Sequence, residues 1–219
     1  MIKISDKKPL IIAIDGPSAS GKGTLAKKIA RHFNLAFLNT GAIYRLVAFR
    51  VIEQKIDPNN FENFIHKLVA DISEDDLENE ALHTEFVGST ASIIAKNSKL
   101  RAALFDFQKN FIEKSKKEKN GCVLDGRDTT TVICPDADYK FFVTADVEIR
   151  AKRRFDQLKT SYEEILSQLK KRDENDLNRT DSPLKIAKDA VVIDNGNLTI
   201  EKGFQKILAI ITKRGQTPF

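Results

Sequence analysis

The chain has 219 residues, 41% of them apolar, and a formal net charge of +5, which suits a single domain with a substantial hydrophobic core. No apolar run approaches the ~20 residues that a membrane-spanning helix needs, and the first residues lack the pattern of a signal peptide. Two cysteines without a CxxC spacing exclude a disulfide scaffold, and three scattered histidines give little support for a metal site. We therefore expect a cytoplasmic protein without a membrane segment, whose positive charge indicates anionic ligands.

Short apolar runs alternate with amphipathic helical segments along the chain. The apolar runs predict strands at 10–14, 36–38, 122–124, 140–143 and 190–193. Apolar residues at helical spacing predict helices at 22–33, 42–54, 57–69, 85–116 with a break at 97–98, 146–158, and from Ser161 and Thr199 onward. This alternation predicts an α/β fold with a central parallel sheet covered on both faces, in which ligands bind beyond the carboxyl ends of the strands.

A glycine-rich loop, GPSASGKGT at residues 16–24, joins the first predicted strand to the first predicted helix. Backbone N–H groups of such a loop, at the N-terminus of a helix, can wrap the phosphates of ATP, and Lys22 can reach the β- and γ-phosphates. A glycine-rich junction without a ligand is disfavoured, because the G-x4-G-K core and both flanking elements occur together. The predicted ATP-binding residues of this loop are Gly16, Pro17, Ser18, Ala19, Ser20, Gly21, Lys22, Gly23 and Thr24.

The residue after the lysine departs from the general pattern of such loops. Gly23 stands where a Ser or Thr hydroxyl usually meets Mg²⁺, and Thr24 comes one position later. We therefore expect the Mg²⁺ that accompanies ATP to be held mainly by phosphates and water, with no certain protein ligand. Asp125, directly after the strand at 122–124, is the candidate for holding one of those waters.

Four further segments complete a pattern that spans nearly the whole chain: NTGAIYR at 39–45, LDGRDTTTV at 124–132, RDENDLNR at 172–179 and PLKIAKDAVVIDN at 183–195. Together with the glycine-rich loop, and in this order, they resemble the cytidylate kinases. The resemblance implies a three-layer P-loop kinase that acts as a monomer on ATP and CMP or dCMP rather than on nucleic acid. It also implies a core at about 1–55, 102–150 and 185–219, a nucleoside-monophosphate-binding insert at about 56–101 and a short lid at about 151–184.

The resemblance further implies the residues that carry the reaction. The implied catalytic residues are Lys22, Arg127, Arg172 and Arg179, and Arg154 would join the ATP site. The implied CMP-binding residues are Thr40, Arg45, Ser92, Arg101, Arg127, Asp128, Asp176 and Arg179. Within this set, Arg45 and Arg127 would bind the phosphate of CMP, and Asp176 would bind ribose hydroxyls.

The chemistry of cytosine independently suits two of these residues. Its N4 amino group donates hydrogen bonds beside acceptors at N3 and O2, so a carboxylate and a guanidinium complement that edge. Asp128 and Arg101 form such a pair, with Ser92 implied beside them, whereas uracil would present a carbonyl to Asp128. The attacking phosphate oxygen is already anionic, so the reaction needs no Ser–His–Asp triad.

Other interpretations remain open from the sequence. The nearest is a related nucleoside-monophosphate kinase that prefers UMP or AMP. The positive charge and the cluster at 114–117 also suggest a nucleic-acid-binding ATPase, although no nucleic-acid-binding module is recognisable. A catalytically inactive P-loop module is disfavoured by Lys22 and the arginines. Arg153 and Arg154 also fit a solvated helix face with weak surface ion pairs, and Tyr44 fits a packing role.

Two residues depart from the pattern of the cytidylate kinases. Asn39 replaces an aspartate, which removes a negative charge before Thr40. Thr130 replaces a glycine, which we expect to narrow the conformations of the loop after Asp128. The stretch at 71–80 is shorter than the corresponding bacterial segment and reads as a solvated connector.

Overall fold

The computed structural model describes residues 8–158 and 161–215, and a five-stranded parallel sheet lies at its centre. The strands in chain order are β1 (Leu10–Asp15), β2 (Ala36–Asn39), β3 (Gly121–Gly126), β4 (Tyr139–Thr144) and β5 (Val191–Asp194). Their order in the sheet is β2-β3-β1-β4-β5, and every neighbouring pair is parallel. Each predicted strand is therefore confirmed, to within two residues at either end.

Eight α-helices connect or cover these strands in the described part of the chain. They are α1 (Lys22–Phe33), α2 (Thr40–Glu53), α3 (Ile65–Val69), α4 (Glu85–Ile94), α5 (Ser98–Glu118), α6 (Val147–Leu158), α7 (Tyr162–Leu177) and α8 (Ile200–Gly215). The predicted break at 97–98 is confirmed, because the Asn97 side chain accepts a hydrogen bond from the Leu100 N–H at 3.0 Å and caps α5. Ser161 caps α7 in the same way, through the N–H of Glu164 at 3.3 Å.

Alternate residues of the strands point to opposite faces, and each face is covered by its own helices. Ile12 and Ile14 of β1 are buried in a cluster with residues of α1 and α8. Ile11 and Ala13 of the same strand are buried in a second cluster with residues of α2 and α5. The predicted α/β fold, a parallel sheet with helices on both sides, is thus confirmed.

The prediction of a helix starting at Asp57 and Pro58 is wrong. The Asp57 carboxylate accepts hydrogen bonds from the N–H of Asn59 at 2.9 Å and from its side-chain amide at 3.1 Å, which closes a turn around Pro58. A 3₁₀ turn at Glu62–Phe64 and the short helix α3 follow. The aspartate therefore folds its own backbone into a turn rather than starting a helix.

Two groups of helices and turns extend beyond the carboxyl edge of the sheet, and each is called a wall below. One is formed by α3, two 3₁₀ turns at Asp75–Glu78 and Glu80–His83, and α4, and the other by α6 and α7, which pack on each other. We call the first the insert wall and the second the lid wall, after the predicted insert and lid. The division into core, insert and lid stays a prediction, and its residues 1–7, 159–160 and 216–219 lie outside the described residues. Among the residues described, no helix combines the length and apolarity needed to cross a membrane.

Candidate active site

The glycine-rich loop leaves β1 along a path that only particular residues permit. Gly16 has φ +149°, and a Cβ placed there would lie 2.0 Å from the Val143 carbonyl oxygen, so no side chain fits. Gly21 has φ +89° and caps α1 in the left-handed region that favours glycine. The loop therefore ends with the N–H groups of the first turn of α1 facing outward, as an anion-binding helix N-terminus requires.

Lys22 lies buried at this helix N-terminus. Its ammonium donates to the Pro17 carbonyl at 3.4 Å and lies 3.7 Å from Asp125 Oδ1. Burial and the nearby charge of Arg127 lower the pKa of Lys22 to about 8, although Asp125 acts in the opposite direction. A Cβ at Gly23 would lie 2.9 Å from Asp125 Oδ2. The departure at Gly23 therefore has a steric reason, because glycine lets the carboxylate approach the start of α1.

A cavity of about 740 Å³ lies beside this loop, which is within the usual range for ligand pockets of roughly 300–1,000 Å³. Gly21, Lys22 and Thr24 line it, together with Arg153 from α6 and Asn195 after β5. Arg153 donates to the Asn195 carbonyl at 2.6 Å, and the Asn195 amide donates to the carbonyl of Ser20 at 2.8 Å. The interpretation of Arg153 as a solvated surface residue is therefore wrong.

The first turn of α6 also ties the loop to the lid wall. Buried Arg150 donates to the Ser18 carbonyl at 3.1 Å and forms an ion pair with Asp173 of α7 at 2.5 Å. Ala19, the next loop residue, has φ +58° and packs against residues of α6 and α7. The glycine-rich loop is thus fixed by its connection to β1 and by contacts with α6 and with the segment after β5.

A second, smaller cavity of about 100 Å³ lies on the other side of the loop. All eight predicted CMP-binding residues line this cavity: Thr40, Arg45, Ser92, Arg101, Arg127, Asp128, Asp176 and Arg179. Arg172 lines it as well. They come from α2, α4, α5, α7 and the segments that follow α7 and β3, so the fold brings together segments that are far apart in sequence. Only their roles stay predictions.

Arg101 and Asp128 form a buried ion pair in this cavity, with both residues less than a tenth exposed. Arg101 also donates to the Ala95 carbonyl at 3.3 Å, and its guanidinium lies 5.5 Å from the centre of the Tyr44 ring. Tyr44 therefore has the packing role that the sequence suggested. Arg101 is buried, although its position on α5 would by spacing alone suit a solvated helix face.

Asp176 lies between two arginines. Arg127 Nε donates to its Oδ2 at 2.7 Å, and Arg179 pairs with its Oδ1. Burial alone would raise the pKa of Asp176, but the two guanidiniums outweigh it and lower that pKa, so the carboxylate stays ionised. The Nε atoms of Arg172 and Arg179 are buried without a hydrogen-bond partner among the described residues. These unpaired donors suit an anionic ligand.

Arg45 and Arg172 converge on one point of α4. A Cβ at Gly88 would lie 2.7 Å from an Arg45 nitrogen and 2.8 Å from an Arg172 nitrogen. Arg45 donates to the carbonyls of Leu82 at 2.7 Å and Thr84 at 3.3 Å. Burial, followed by the charge of Arg172, lowers the pKa of Arg45 to about 10. Two guanidiniums held this close favour binding of a phosphate between them.

Glu85, at the start of α4, is a site residue that the sequence did not indicate. It forms ion pairs with Arg154 of α6 and Arg172 of α7. Its only sequence signal is an acidic residue in the first turn of a helix, which is common for reasons of helix stability. Arg154 is therefore held against the opposite wall rather than in solvent. Ser92 of α4 faces α7, where the Asn175 side-chain amide donates to its hydroxyl at 3.5 Å.

Asp15, at the end of β1, is a second residue that the sequence did not indicate. This fully buried carboxylate accepts four hydrogen bonds, from the N–H and hydroxyl groups of Thr129 and Thr130 at 2.6–2.9 Å. It thereby fixes the π-helical turn Thr129–Ile133, which directly follows Asp128. Thr130 has no positive φ, so its backbone does not require the glycine of the family pattern.

The second departure, Asn39, also has a local explanation. Its side-chain oxygen accepts from the Ala42 N–H at 3.3 Å and caps α2, a role that Asn fills as well as Asp. The next residue, Thr40, donates its hydroxyl hydrogen to the Asp125 carbonyl oxygen at 3.1 Å. The start of α2 is thus tied to β3, and the substitution removes a charge without removing the cap.

Comparison with known proteins identifies relatives over nearly the whole chain. A family model described as cytidylate kinase matches residues 12–213. A cytidylate kinase of Azorhizobium caulinodans is 45% identical over 210 residues, which cover 93% of this chain and 98% of the relative. Cytidylate kinases of Rhodopseudomonas palustris and Rhodospirillum rubrum are 44% and 39% identical. These matches cover 92% and 94% of this chain, and 95% and 99% of the relatives.

Solved structures share the fold at lower identity. An uncharacterized protein of Eubacterium ventriosum has a TM-score of 0.56 and 16% identity, covering 94% of this chain and 100% of its own. TT1252 of Thermus thermophilus has a TM-score of 0.52 and 19% identity, covering 97% and 100%. A gluconokinase of Sinorhizobium meliloti has a TM-score of 0.50 and 13% identity, covering 95% and 94%. At these identities the likeness concerns the fold alone.

Proposed function

We propose that this chain, which belongs to the cytidylate kinase family, transfers the γ-phosphate of ATP to CMP and dCMP, giving ADP and CDP or dCDP. The observation that carries the proposal is the buried pair of Arg101 and Asp128 in a cavity that several further arginines line. A carboxylate beside a guanidinium complements the Watson–Crick edge of cytosine. That cavity adjoins the glycine-rich loop, because Ser18, Arg45, Arg127 and Arg172 line both cavities.

The larger cavity suits ATP. Backbone N–H groups at the start of α1 bind the phosphates, and Lys22 neutralises the β- and γ-phosphates. Arg154 and Arg153 from α6 line the same cavity, with Asn195 closing its far side. These residues orient the triphosphate so that its γ-phosphorus faces the smaller cavity.

The smaller cavity suits the acceptor nucleotide. Asp128 accepts from the N4 amino group of cytosine, Arg101 donates to the ring acceptors, and Ser92 lies beside them. Asp176 and Arg179 line the part assigned to ribose, and Thr40 lies at the start of α2. Arg45 and Arg127 bind the phosphate of CMP, because guanidiniums form strong, charge-assisted hydrogen bonds to phosphate oxygens.

Transfer of the phosphate requires that the two substrates be correctly positioned, and it does not require a general base. An oxygen of the CMP phosphate attacks the γ-phosphorus in line with the bond to the β-phosphate oxygen, and that bond breaks as ADP leaves. Lys22, Arg127, Arg172 and Arg179 stabilise the negative charge that spreads over the transferred group. The two walls exclude water, which would otherwise accept the phosphate in place of CMP.

The residues present fit a Mg²⁺ ion bound with ATP. Among the described residues, no group of three or more His, Cys, Asp or Glu side chains could form a metal cage. Asp125 Oδ1, however, is a buried carboxylate oxygen without a hydrogen-bond partner in the described part of the chain, and it lies beside Lys22. Asp125 would bind a water molecule that is coordinated to the ion. The positive charge of Mg²⁺ would help to neutralise the phosphates. We further propose that the enzyme acts as a cytoplasmic monomer on small-molecule substrates, not on nucleic acid.

Product analysis tests this function. The purified chain is incubated with ATP, Mg²⁺ and CMP or dCMP, and the nucleotides are separated by anion-exchange chromatography. We expect equal amounts of ADP and the matching diphosphate, and almost none of either from the Lys22→Ala variant. Release of ADP and inorganic phosphate without any CDP would show an ATPase and reject the proposal.

A further inference from the structure

Two arginines from two different helices meet at the Glu85 carboxylate, and a third lies one turn further along α4. Arg154 of α6 donates from Nε to Glu85 Oε1 at 2.9 Å and also pairs with it through Nη2. Arg172 of α7 donates from Nη2 to Oε2 at 2.8 Å. Arg45 of α2 approaches Arg172 at Gly88, one turn further along α4. Each carboxylate oxygen thus serves a different arginine, as neighbouring oxygens of one phosphate would.

Glu85 is the only acid among the described residues within ion-pair distance of any of these arginines. Its side chain is about a quarter exposed and lines the larger cavity, together with Lys22 and the phosphate loop. Partial burial would raise the pKa of Glu85, but Arg172 and Arg154 lower it, so the carboxylate is ionised at neutral pH. The acid therefore compensates like charges that would otherwise repel one another.

We propose that Glu85 is a positioning residue that substitutes for the phosphates of the substrates before they bind. Its ion pairs hold Arg154 and Arg172 in place between the two walls, and these ion pairs break when the phosphates of ATP bind the two arginines. The inference rests on the proposed function, because it concerns the same arginines. It adds a residue that binds neither nucleotide and instead sets how readily the arginines become available.

This role predicts an effect opposite to that of an ATP-binding residue. Because the carboxylate competes with phosphate for the same guanidiniums, its removal should strengthen ATP binding. A residue that contacts ATP, or one that only supports the wall, would weaken ATP binding when replaced. An acid that only stabilises the first turn of α4 would change thermal stability and leave ATP affinity unchanged.

The test compares three variants of the full chain by titration calorimetry. Glu85→Gln keeps the shape and removes the charge, whereas Glu85→Asp keeps the charge on a side chain too short to bridge both arginines. Glu62→Gln is the matched control, because Glu62 lies in the turn directly before α3 and pairs with Lys99 at the surface. Mg²⁺–ATP and inorganic tripolyphosphate are titrated separately, both without CMP.

We expect Glu85→Gln to bind both ligands about fivefold to tenfold more tightly than the parent chain, as loss of a charged competitor implies. Glu85→Asp should bind them roughly twofold to fourfold more tightly, and Glu62→Gln should match the parent. KM for ATP should fall with the dissociation constant in Glu85→Gln, while kcat stays equal or falls.

Unchanged or weaker binding by Glu85→Gln would overturn the inference. Unchanged binding by Glu85→Asp, with tighter binding by Glu85→Gln, would also overturn it, because plain charge repulsion would then explain the effect. These measurements do not depend on the acceptor. A parent chain that binds ATP but does not phosphorylate CMP would therefore reject the proposed function and leave the comparison at Glu85 intact.

Discussion

The Arg101 guanidinium and the Asp128 carboxylate pair with each other at the floor of the smaller cavity, although they come from different parts of the structure. Arg101 lies on α5, which begins at the insert wall, and Asp128 follows β3 at the edge of the sheet. The pairing stabilises two charges that would be costly to bury separately. In the proposed function, it also links base recognition to the position of the insert wall relative to the sheet.

Asp128→Asn tests base recognition with little change of shape. Alanine would leave Arg101 buried without a partner, whereas asparagine keeps the volume and can donate to a uracil carbonyl. We expect the preference for CMP over UMP, measured as a ratio of kcat/KM, to shrink by about 5–150-fold, because one base contact is worth about 1–3 kcal/mol. An unchanged ratio with lower overall activity would assign Asp128 to the fold or to the phosphate site.

Lys22→Ala tests the phosphate loop. Loss of one well-placed charge at the transferred group should lower kcat by about 10²–10³-fold, with little change in CMP binding. Lys27→Ala is the control, because Lys27 is exposed on the same helix. Near-normal turnover of the Lys22 variant would remove the main support for the ATP site.

The pH dependence of ATP binding provides an independent test of Lys22. Its pKa of about 8 means that the ammonium form, which attracts phosphate, is lost as the pH rises through that value. ATP affinity of the parent chain should therefore fall between about pH 7 and pH 9. A Lys22→Met variant should bind more weakly and show no such fall. The same pH profile in both proteins would assign the titration to another group.

Gly88→Ala separates stability from activity. Alanine favours a helix by about 0.8–1 kcal/mol over glycine, so the melting temperature should stay equal or rise by about 2–4 °C. The added Cβ would displace the ends of Arg45 and Arg172, which lie within 2.8 Å of its position. We expect kcat/KM to fall by about 10–100-fold, since misplacement of about 1 Å can cost that much. Full activity would show that the arginines need not approach α4 this closely.

Closure of the two walls is testable by hydrogen exchange. The smaller cavity of about 100 Å³ is below the usual size of ligand pockets, roughly 300–1,000 Å³, so we expect the walls to separate when CMP enters. We expect the segments at 61–101 and 154–179 to gain protection when CMP and a non-hydrolysable ATP analogue bind together, with little change in β1, β3, β4 and β5. Uniform protection, or none in either segment, would contradict closure.

Residues with a specific backbone or chemical requirement could be predicted from the sequence. Gly16 and Gly21 are needed for the loop geometry, and Lys22 follows at the spacing that phosphate binding requires. Asp128 after a buried strand indicated a ligand edge. Arg101 became a candidate CMP-binding residue only through the family resemblance and the chemistry of cytosine. Its helical spacing alone suits a solvated helix face.

Residues that act through other residues could not be predicted in this way. Asp15 only ends an apolar run, and its four hydrogen bonds depend on a turn more than a hundred positions later. Glu85 resembles an ordinary acid at a helix start until α6 and α7 bring arginines to it. At Asp57, a local side-chain turn overrode the signal for a helix start. In each case the deciding partner is set by tertiary contacts or by competing local hydrogen bonds.

The most direct measurement of function is a coupled ADP-release assay with CMP, dCMP, UMP and AMP compared side by side. The pairing of Arg101 with Asp128 predicts that kcat/KM for CMP exceeds that for UMP by about tenfold or more, with dCMP accepted and AMP poor. UMP or AMP as the better acceptor would contradict the assignment of the cytosine site. Release of ADP that no monophosphate accelerates would contradict the assignment as a nucleotide kinase.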